Sequence, residues 1–178
     1  VEPGEAEEAG ALNALSDLEI VSLGHDLAAG QLAEWLETSL PADGDNGTRP
    51  LGVDVVGVLR PVEGDAALVS LSDGSRAVVI DLTEILPEDE AALARLLADV
   101  ERPKLVADAK GSWHALSARG LTLDGVVADP SLAGYLCRPE QRSYDVDTLT
   151  QRWLGIDLAA VNDGRAPAGD SSRESQSA

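Results

Sequence analysis

Residues 104–137 read KLVADAKGSWHALSARGLTLDGVVADPSLAGYLC, a segment in which short apolar strands alternate with helices. The runs at 104–107 and 126–128 predict strands, and 112–119 predicts a helix closed by a glycine. A proline opens the next helix, at 130–137. Strands that alternate with helices are typical of parallel pairing through crossover connections, so this segment predicts an α/β fold.

The chain before this segment is richer in predicted strands. Residues 19–23, 51–58, 66–71 and 76–81 are apolar and mostly β-branched. The Ser-Asp-Gly-Ser turn at 72–75 predicts that the last two form an antiparallel hairpin. The sheet is therefore expected to be mixed, with a meander first and crossovers after it.

Three more helices complete the pattern. Asp26 is interpreted as the cap of a helix over 27–40, and acidic residues at its start favour a second helix over 88–100. A third is predicted over 145–154, ending before Gly155.

The charge of the chain is strongly negative and uneven. The net charge is −19, and the first 48 residues hold eleven Asp or Glu and no Lys or Arg. Binding to a nucleic-acid backbone requires clustered cations that displace counterions. No basic run occurs, so nucleic-acid binding by this chain alone is not expected.

Cys137 is the single cysteine, which rules out an intrachain disulfide and a cysteine-based zinc site. Its apolar neighbours predict a buried, inert thiol. No run approaches the ~20 apolar residues that span a bilayer, and no secretory signal is evident, so a cytoplasmic protein is expected. Composition divides the chain into an acidic arm over 1–16, a domain over 17–158 and a tail over 159–178.

Two segments carry a family resemblance. Residues 104–137 and the helix YDVDTLTQRWLG at 144–155 resemble the 3'-5' exonuclease-like domain of bacterial family A DNA polymerase I, in spacing and in residue type. With the strand at 51–58, the resemblance extends over roughly residues 18–157. It implies an RNase H-like, DnaQ-type α/β fold, with a mixed sheet and flanking helices. The Ala, Gly, Val and Arg bias is typical of an actinobacterial source.

The resemblance also implies where catalytic carboxylates would lie. Active relatives hold two divalent metals on four carboxylates, which activate water for attack on a phosphodiester. At the matching positions Asp54 is kept, Val56 replaces a Glu, Asp108 stands at an Asn and Ser112 replaces an Asp. The final Tyr-x-x-x-Asp pair is not found in 156–178. Asp54 alone is retained as a remnant metal ligand, so no cofactor is expected unless nuclease activity with Mg²⁺ or Mn²⁺ survives.

Other polar and aromatic residues are given structural interpretations. Asp129 and Asp145 precede helices and are expected to cap them. Ser112 and His114 are two positions apart on a helix, so they are not expected to form a catalytic pair. Trp residues beside leucines are expected in the core rather than stacked on bases; they are Trp35, Trp113 and Trp153.

Three functional hypotheses remain open. The first is an inactive structural module between the 5' nuclease and polymerase domains of a DNA polymerase I, which would meet DNA mainly through that parent protein. The second is an active metal-dependent exonuclease with rearranged ligands, drawn from Asp54, Asp108 and a further carboxylate. The third is an acidic module that docks a cationic partner through its first 48 residues, with affinity that falls as salt rises.

Overall fold

The computed structural model describes residues 18–40 and 49–158. The arm at 1–16, the tail at 159–178 and part of the acidic first 48 residues lie outside this range, so the domain boundaries stay predictions. In the described part, no helix is long and apolar enough to cross a membrane. The strands are β1 Glu19–Ser22, β2 Leu51–Val58, β3 Asp65–Ser72, β4 Arg76–Asp81, β5 Lys104–Val106 and β6 Val126–Ala128. The helices are α1 Leu32–Ser39, α2 Pro87–Ala98, α3 Ala109–Ala118, α4 Pro130–Cys137 and α5 Val146–Leu154.

The described strands form one mixed sheet in the order β1-β4-β3-β2-β5-β6. The pairs β2–β3 and β3–β4 are antiparallel, which confirms the predicted meander and hairpin. The pairs β1–β4, β2–β5 and β5–β6 are parallel. The predicted mixed α/β architecture is therefore confirmed.

The core lies between one face of the sheet and helices α1, α2 and α3. In β2 the side chains of Leu51, Val53 and Val55 are buried, whereas the alternate positions are more exposed. Apolar side chains from these helices complete one cluster with the strands, including Leu32, Leu36, Leu93, Leu97 and Leu116. The strand period of two and the helical stripes thus meet on the same face.

The predicted start of α1 is wrong. The helix begins at Leu32 rather than residue 27, because the chain turns at Gly30 with a φ of +88°. Asp26 does not cap α1; its carboxylate accepts a hydrogen bond from the Ser22 amide at 3.0 Å. The other boundaries differ by smaller amounts, and α3 begins three residues earlier than predicted.

Asp89 on α2 supplies the missing cap of α1. Its carboxylate accepts hydrogen bonds from the amides of Gly30 at 2.6 Å and Leu32 at 3.0 Å. The side chain is 1% exposed. The first amides of a helix have no partner within the helix, so this buried carboxylate joins two helices that are distant in sequence.

Lys104, the first residue of β5, is also buried, and its ammonium group bonds to the turn that precedes the strand. Its Nζ donates to the carbonyl oxygens of Asp99 at 2.8 Å and Arg102 at 2.9 Å, in the turn that follows α2. Burial lowers the pKa of Lys104, and the nearby Asp99 opposes that shift. The ammonium therefore bonds to two backbone carbonyls of the turn between α2 and β5 and holds that turn in place.

Candidate functional site

Strand β2 carries the first two positions of the candidate site. Asp54 and Val56 alternate with buried residues, so both face away from the core. Asp54 is exposed and makes no hydrogen bond or ion pair within the described part of the chain, and Val56 is 50% exposed. A carboxylate and a hydrocarbon thus stand side by side where active relatives carry two carboxylates.

The strand becomes irregular directly after these positions. The β2–β3 register shifts between Val56 and Gly57. A Cβ on Gly57 would lie 2.1 Å from the carbonyl oxygen of Asp65, so the close approach of the strands requires glycine here. Such a bulge bends a strand and changes the direction of neighbouring side chains.

Asp108 stands at the turn between β5 and α3, and Ser112 lies within α3. Asp108 has a left-handed φ of 47°, and its carboxylate accepts from the Gly111 amide at 3.1 Å as the cap of α3. Val53 pairs with Val106, so Asp54 within β2 and the turn that follows β5 belong to neighbouring parallel strands. Sheet topology therefore brings Asp54 and Asp108 to the same region, and the Asp108 carboxylate is engaged in the cap of α3.

Ser112, within α3, is buried and offers a hydroxyl rather than a carboxylate. The side chain is 1% exposed, and its hydroxyl is 3.5 Å from the carbonyl oxygen of Ala107, to which it donates. The next residue, Trp113, is exposed and stacks edge-on with His114. No Ser112–His114 hydrogen bond is formed, in line with the prediction that they are not a catalytic pair.

These residues do not fit the two-metal centre that the fold implies. Magnesium and manganese require several oxygen ligands each, and two close dications require several anions. Within residues 18–40 and 49–158, no group of three or more His, Cys, Asp or Glu side chains could hold a metal ion. Val56 has no oxygen, and the Ser112 hydroxyl is already directed at the backbone.

Asp129, at the end of β6, confirms its predicted capping role and extends it. The carboxylate accepts from the amides of Ser131 at 2.8 Å and Leu132 at 3.2 Å, in the first turn of α4. Its other oxygen accepts from the Ala109 amide at 2.9 Å, at the start of α3. One carboxylate thus caps two helices.

Replacing Asp129 with alanine is expected to lower the free energy of unfolding by about 2 kcal/mol, because two helix ends each lose a cap worth ~1 kcal/mol. Urea unfolding followed by circular dichroism measures the change. The matched control is Asp124→Ala, a nearby exposed carboxylate that caps no helix, which should change stability by less than about 0.5 kcal/mol. Equal effects of the two substitutions would contradict the double cap.

Asp145 caps α5, also as predicted. A hydrogen bond from the Ser143 hydroxyl, reinforced by the Thr148 amide at 2.7 Å, holds the pKa of Asp145 below its usual range. The carboxylate therefore contributes stability above its unfolded-state pKa, and that contribution disappears as the pH falls through the lower folded-state pKa.

Asp145→Ala is accordingly expected to cost about 1 kcal/mol at pH 7. The difference from wild type should shrink at pH values below about 3.9, where the unfolded-state carboxyl protonates first and the folded-state carboxyl follows. Urea midpoints of both proteins between pH 7 and pH 2 provide the measurement. If the stability cost of Asp145→Ala stayed constant between pH 7 and pH 2, the ionised carboxylate of Asp145 would not be the cap.

An apolar groove between α4 and α5 was not anticipated from the sequence. It has a volume of about 550 Å³ and is lined mainly by Ala133, Gly134, Cys137, Leu149 and Trp153. A Cβ on Gly134 would lie 2.7 Å from Leu149 Cδ2, so glycine allows the two helices to approach closely. The periodicity of either helix alone could not reveal a surface formed by both.

Two predictions about burial are wrong, one for Cys137 and one for two of the three tryptophans. Cys137 is exposed rather than buried, because its helix contacts the rest of the described fold only on one side. Trp113 and Trp153 are 49% and 38% exposed, so they are not core residues; Trp35 is half-buried against the core. Trp153 instead lies beneath the guanidinium of Arg138, 5.8 Å from the ring centre.

Comparisons with known proteins agree with the resemblance seen in the sequence. A family model for the DNA polymerase I ribonuclease H-like domain matches residues 61–160. DNA polymerase I of Mycobacterium tuberculosis is 42% identical over 139 residues, which are 77% of this chain and 15% of that protein. The chain therefore spans about 15% of the length of the curated relatives it matches.

Solved structures support the same fold. A structure described as the POL domain of Pol1 from M. smegmatis, in complex with DNA primer-template and dNTP, matches with a TM-score of 0.67 and 40% identity. The match covers 80% of this chain and 24% of that one. RNase D from Trypanosoma brucei, in complex with RNA U12, matches with a TM-score of 0.63 at 17% identity, over 92% of this chain and 59% of that one. At that identity the likeness concerns the fold alone, and it confirms the expected RNase H-like class. The chain belongs to the DNA polymerase I ribonuclease H-like domain family, as a 3'-5' exonuclease-like domain of actinobacterial type.

Proposed function

We propose that this domain has lost exonuclease chemistry and serves as a structural module of a DNA polymerase I. The parent enzyme would carry out DNA-templated synthesis in replication and repair, in the cytoplasm at the nucleoid. The module would connect a 5' nuclease domain and a polymerase domain, and DNA would be bound mainly by those parts.

The observation that carries this proposal is the chemistry at the four matched positions. Three of these are carboxylate positions in active relatives; only Asp54 retains a carboxylate there, whereas Val56 and Ser112 stand at the other two. Asp108 stands at an Asn position and is engaged in capping α3. In-line attack on a phosphodiester requires metal ions that generate hydroxide and stabilise the leaving oxygen. Without ligands to hold those ions in place, the reaction loses both contributions.

The charge of the chain supports the same conclusion. A nuclease must bring a polyanion to its site, and a net charge of −19 repels it. Arg49, Arg60 and Arg76 are spread over the described part, and two of these pair with nearby glutamates, Arg60 with Glu63 and Arg76 with Glu19.

A nuclease assay tests the proposal. The 178-residue chain is incubated with end-labelled single-stranded DNA and Mn²⁺, beside an Asp54→Ala variant prepared in the same way. We expect no stepwise shortening of the DNA by either protein. Shortening by the wild type that Asp54→Ala abolishes would overturn the proposal and establish an exonuclease with rearranged ligands. Equal shortening by both proteins would identify a contaminating nuclease and leave the expected result intact after further purification.

A further inference from the structure

Helix α4 has an unusual surface for a helix of a strongly charged protein. Its eight residues, PSLAGYLC, include no charged side chain, although 25% of the whole chain is charged. A helix that is apolar on all sides is normally buried. In α4 only Gly134 is buried, and Leu132, Tyr135 and Leu136 are 55%, 49% and 72% exposed.

Further apolar surface lies in the groove between α4 and α5, which Pro130, Ala133 and Cys137 line from the α4 side. Val146, Trp153 and Leu154 line it from the α5 side and are all exposed. Contiguous apolar surface of this kind marks a site that another part of a protein covers, because isolated soluble domains rarely leave it in water. Arg138 lies over Trp153 at the edge of the groove, whereas the chain as a whole is acidic.

The chain's own terminal segments are poor candidates for covering this surface. Residues 159–178 contain no leucine, isoleucine or aromatic residue, so they offer little apolar area. Residues 1–17 contain Leu12 and Leu15 but also five carboxylates and no basic residue. Burying such a segment would desolvate five carboxylates, more than the one guanidinium of Arg138 at the groove edge could offset.

The remainder of a longer polypeptide is the better source. The related chain solved with primer-template DNA has a domain 40% identical to this one that occupies 24% of its length. The other 76% is therefore held close to the domain by the peptide chain itself. Covalent attachment gives effective concentrations in the millimolar range, so even a groove of modest area is then occupied.

We propose that the groove between α4 and α5 docks an amphipathic helix from the polymerase part of the same polypeptide, with apolar side chains seated between Gly134, Cys137 and Trp153. The inference rests on the proposed parent polymerase, but it does not depend on whether the nuclease chemistry is lost. Docking of this kind would fix the orientation of the module relative to the polymerase part.

Cys137 provides a direct probe, since it is the one cysteine of the 178 residues and lines the groove. The rate of its alkylation by N-ethylmaleimide is measured in the 178-residue chain and in the full-length polymerase, with peptide mass spectrometry to distinguish any other cysteines. We expect alkylation in the full-length protein to be at least about tenfold slower, the protection given by a docking equilibrium constant of about ten.

Two substitutions identify the groove as the cause. Val146→Asp places a carboxylate in the groove at the start of α5, where the helix dipole tolerates it, and should restore the faster alkylation rate in the full-length protein. Val100→Asp changes another exposed valine, outside the groove, and should leave Cys137 protected.

The proposal is overturned by either of two results. Equal alkylation rates in the short and full-length proteins would mean that the polymerase part leaves the groove open. Slow alkylation already in the 178-residue chain would mean that a terminal segment or a second copy covers the groove. Protection by a second copy would increase with protein concentration, whereas protection by a terminal segment would not. Nuclease activity is read independently, so failure of the docking inference and failure of the proposed inactivity remain distinguishable.

Discussion

Asp89→Ala is expected to lower the free energy of unfolding by roughly 2–4 kcal/mol, because one buried amide loses its acceptor at a cost of ~1–3 kcal/mol and a second, partly exposed amide loses a cap worth ~1 kcal/mol. The amides are those of Gly30 and Leu32, and Asp89 itself is 1% exposed. Water cannot readily replace a carboxylate at that depth. Urea unfolding monitored by circular dichroism at 222 nm measures the loss, and α1 should be the first element to lose amide protection in hydrogen exchange.

Glu88→Ala is the matched control, since Glu88 is an exposed carboxylate in the same first turn of α2. It favours the positive end of the helix but accepts no hydrogen bond from α1, so its removal should cost no more than about 1 kcal/mol. If the two variants were equally stable, Asp89 would not be the cap of α1.

Ser112→Asp is expected to lower the free energy of unfolding by at least about 3 kcal/mol at pH 7, because it places an uncompensated carboxylate in a buried position. Ser112 is 1% exposed, and its only acceptor is the Ala107 carbonyl, which would repel a carboxylate. Desolvation would raise the pKa of the new carboxyl above its unfolded value. The loss of stability should therefore grow as the pH rises above about 4 and diminish below it.

Two control substitutions on α3 test whether burial of the new charge causes the loss of stability. Ser117→Asp adds the same charge at an exposed position of α3 and should change stability by no more than about 0.5 kcal/mol. Ser112→Ala removes only a long hydrogen bond and should cost about 1 kcal/mol or less. A Ser112→Asp variant as stable as wild type, at neutral pH and without metal, would show that this position still accommodates a catalytic carboxylate.

The order of strands and helices could be predicted because local signals and tertiary packing agree. In β2 the alternation of apolar residues matches the pleat, and the Ser-Asp-Gly-Ser turn specifies the hairpin that follows. The caps Asp129 and Asp145 could be predicted because an N-cap side chain accepts hydrogen bonds from the amides of the residues that directly follow it.

The features that were missed depend on contacts between distant segments. The cap of α1 comes from Asp89, 57 positions after Leu32, so no local pattern could point to it and Asp26 was chosen instead. Cys137 and Trp153 were expected in the core because their neighbours are apolar, but the helices that carry them pack mainly on each other. Burial is a property of the assembled surface, which local sequence does not specify.

The candidate site was predicted in composition but not in geometry. The sequence identifies Asp54 as retained and Val56 as substituted. The structure places both side chains on the outer face of β2. The sequence does not indicate that Ser112 is buried against the backbone, nor that Asp108 is committed to the cap of α3. The Asp108 carboxylate and the Ser112 hydroxyl are thus both engaged in hydrogen bonds to nearby backbone.

Mn²⁺ binding shows whether the residues that remain form a dication site. Free Mn²⁺ is measured by electron paramagnetic resonance during titration of wild type, Asp54→Ala and the control Asp147→Ala at 0.15 M salt, where diffuse attraction to the acidic chain is screened. We expect three superimposable curves with no saturable site tighter than about 1 mM. One or two micromolar sites in wild type and Asp147→Ala that are missing in Asp54→Ala would show that Asp54 still belongs to a dication site.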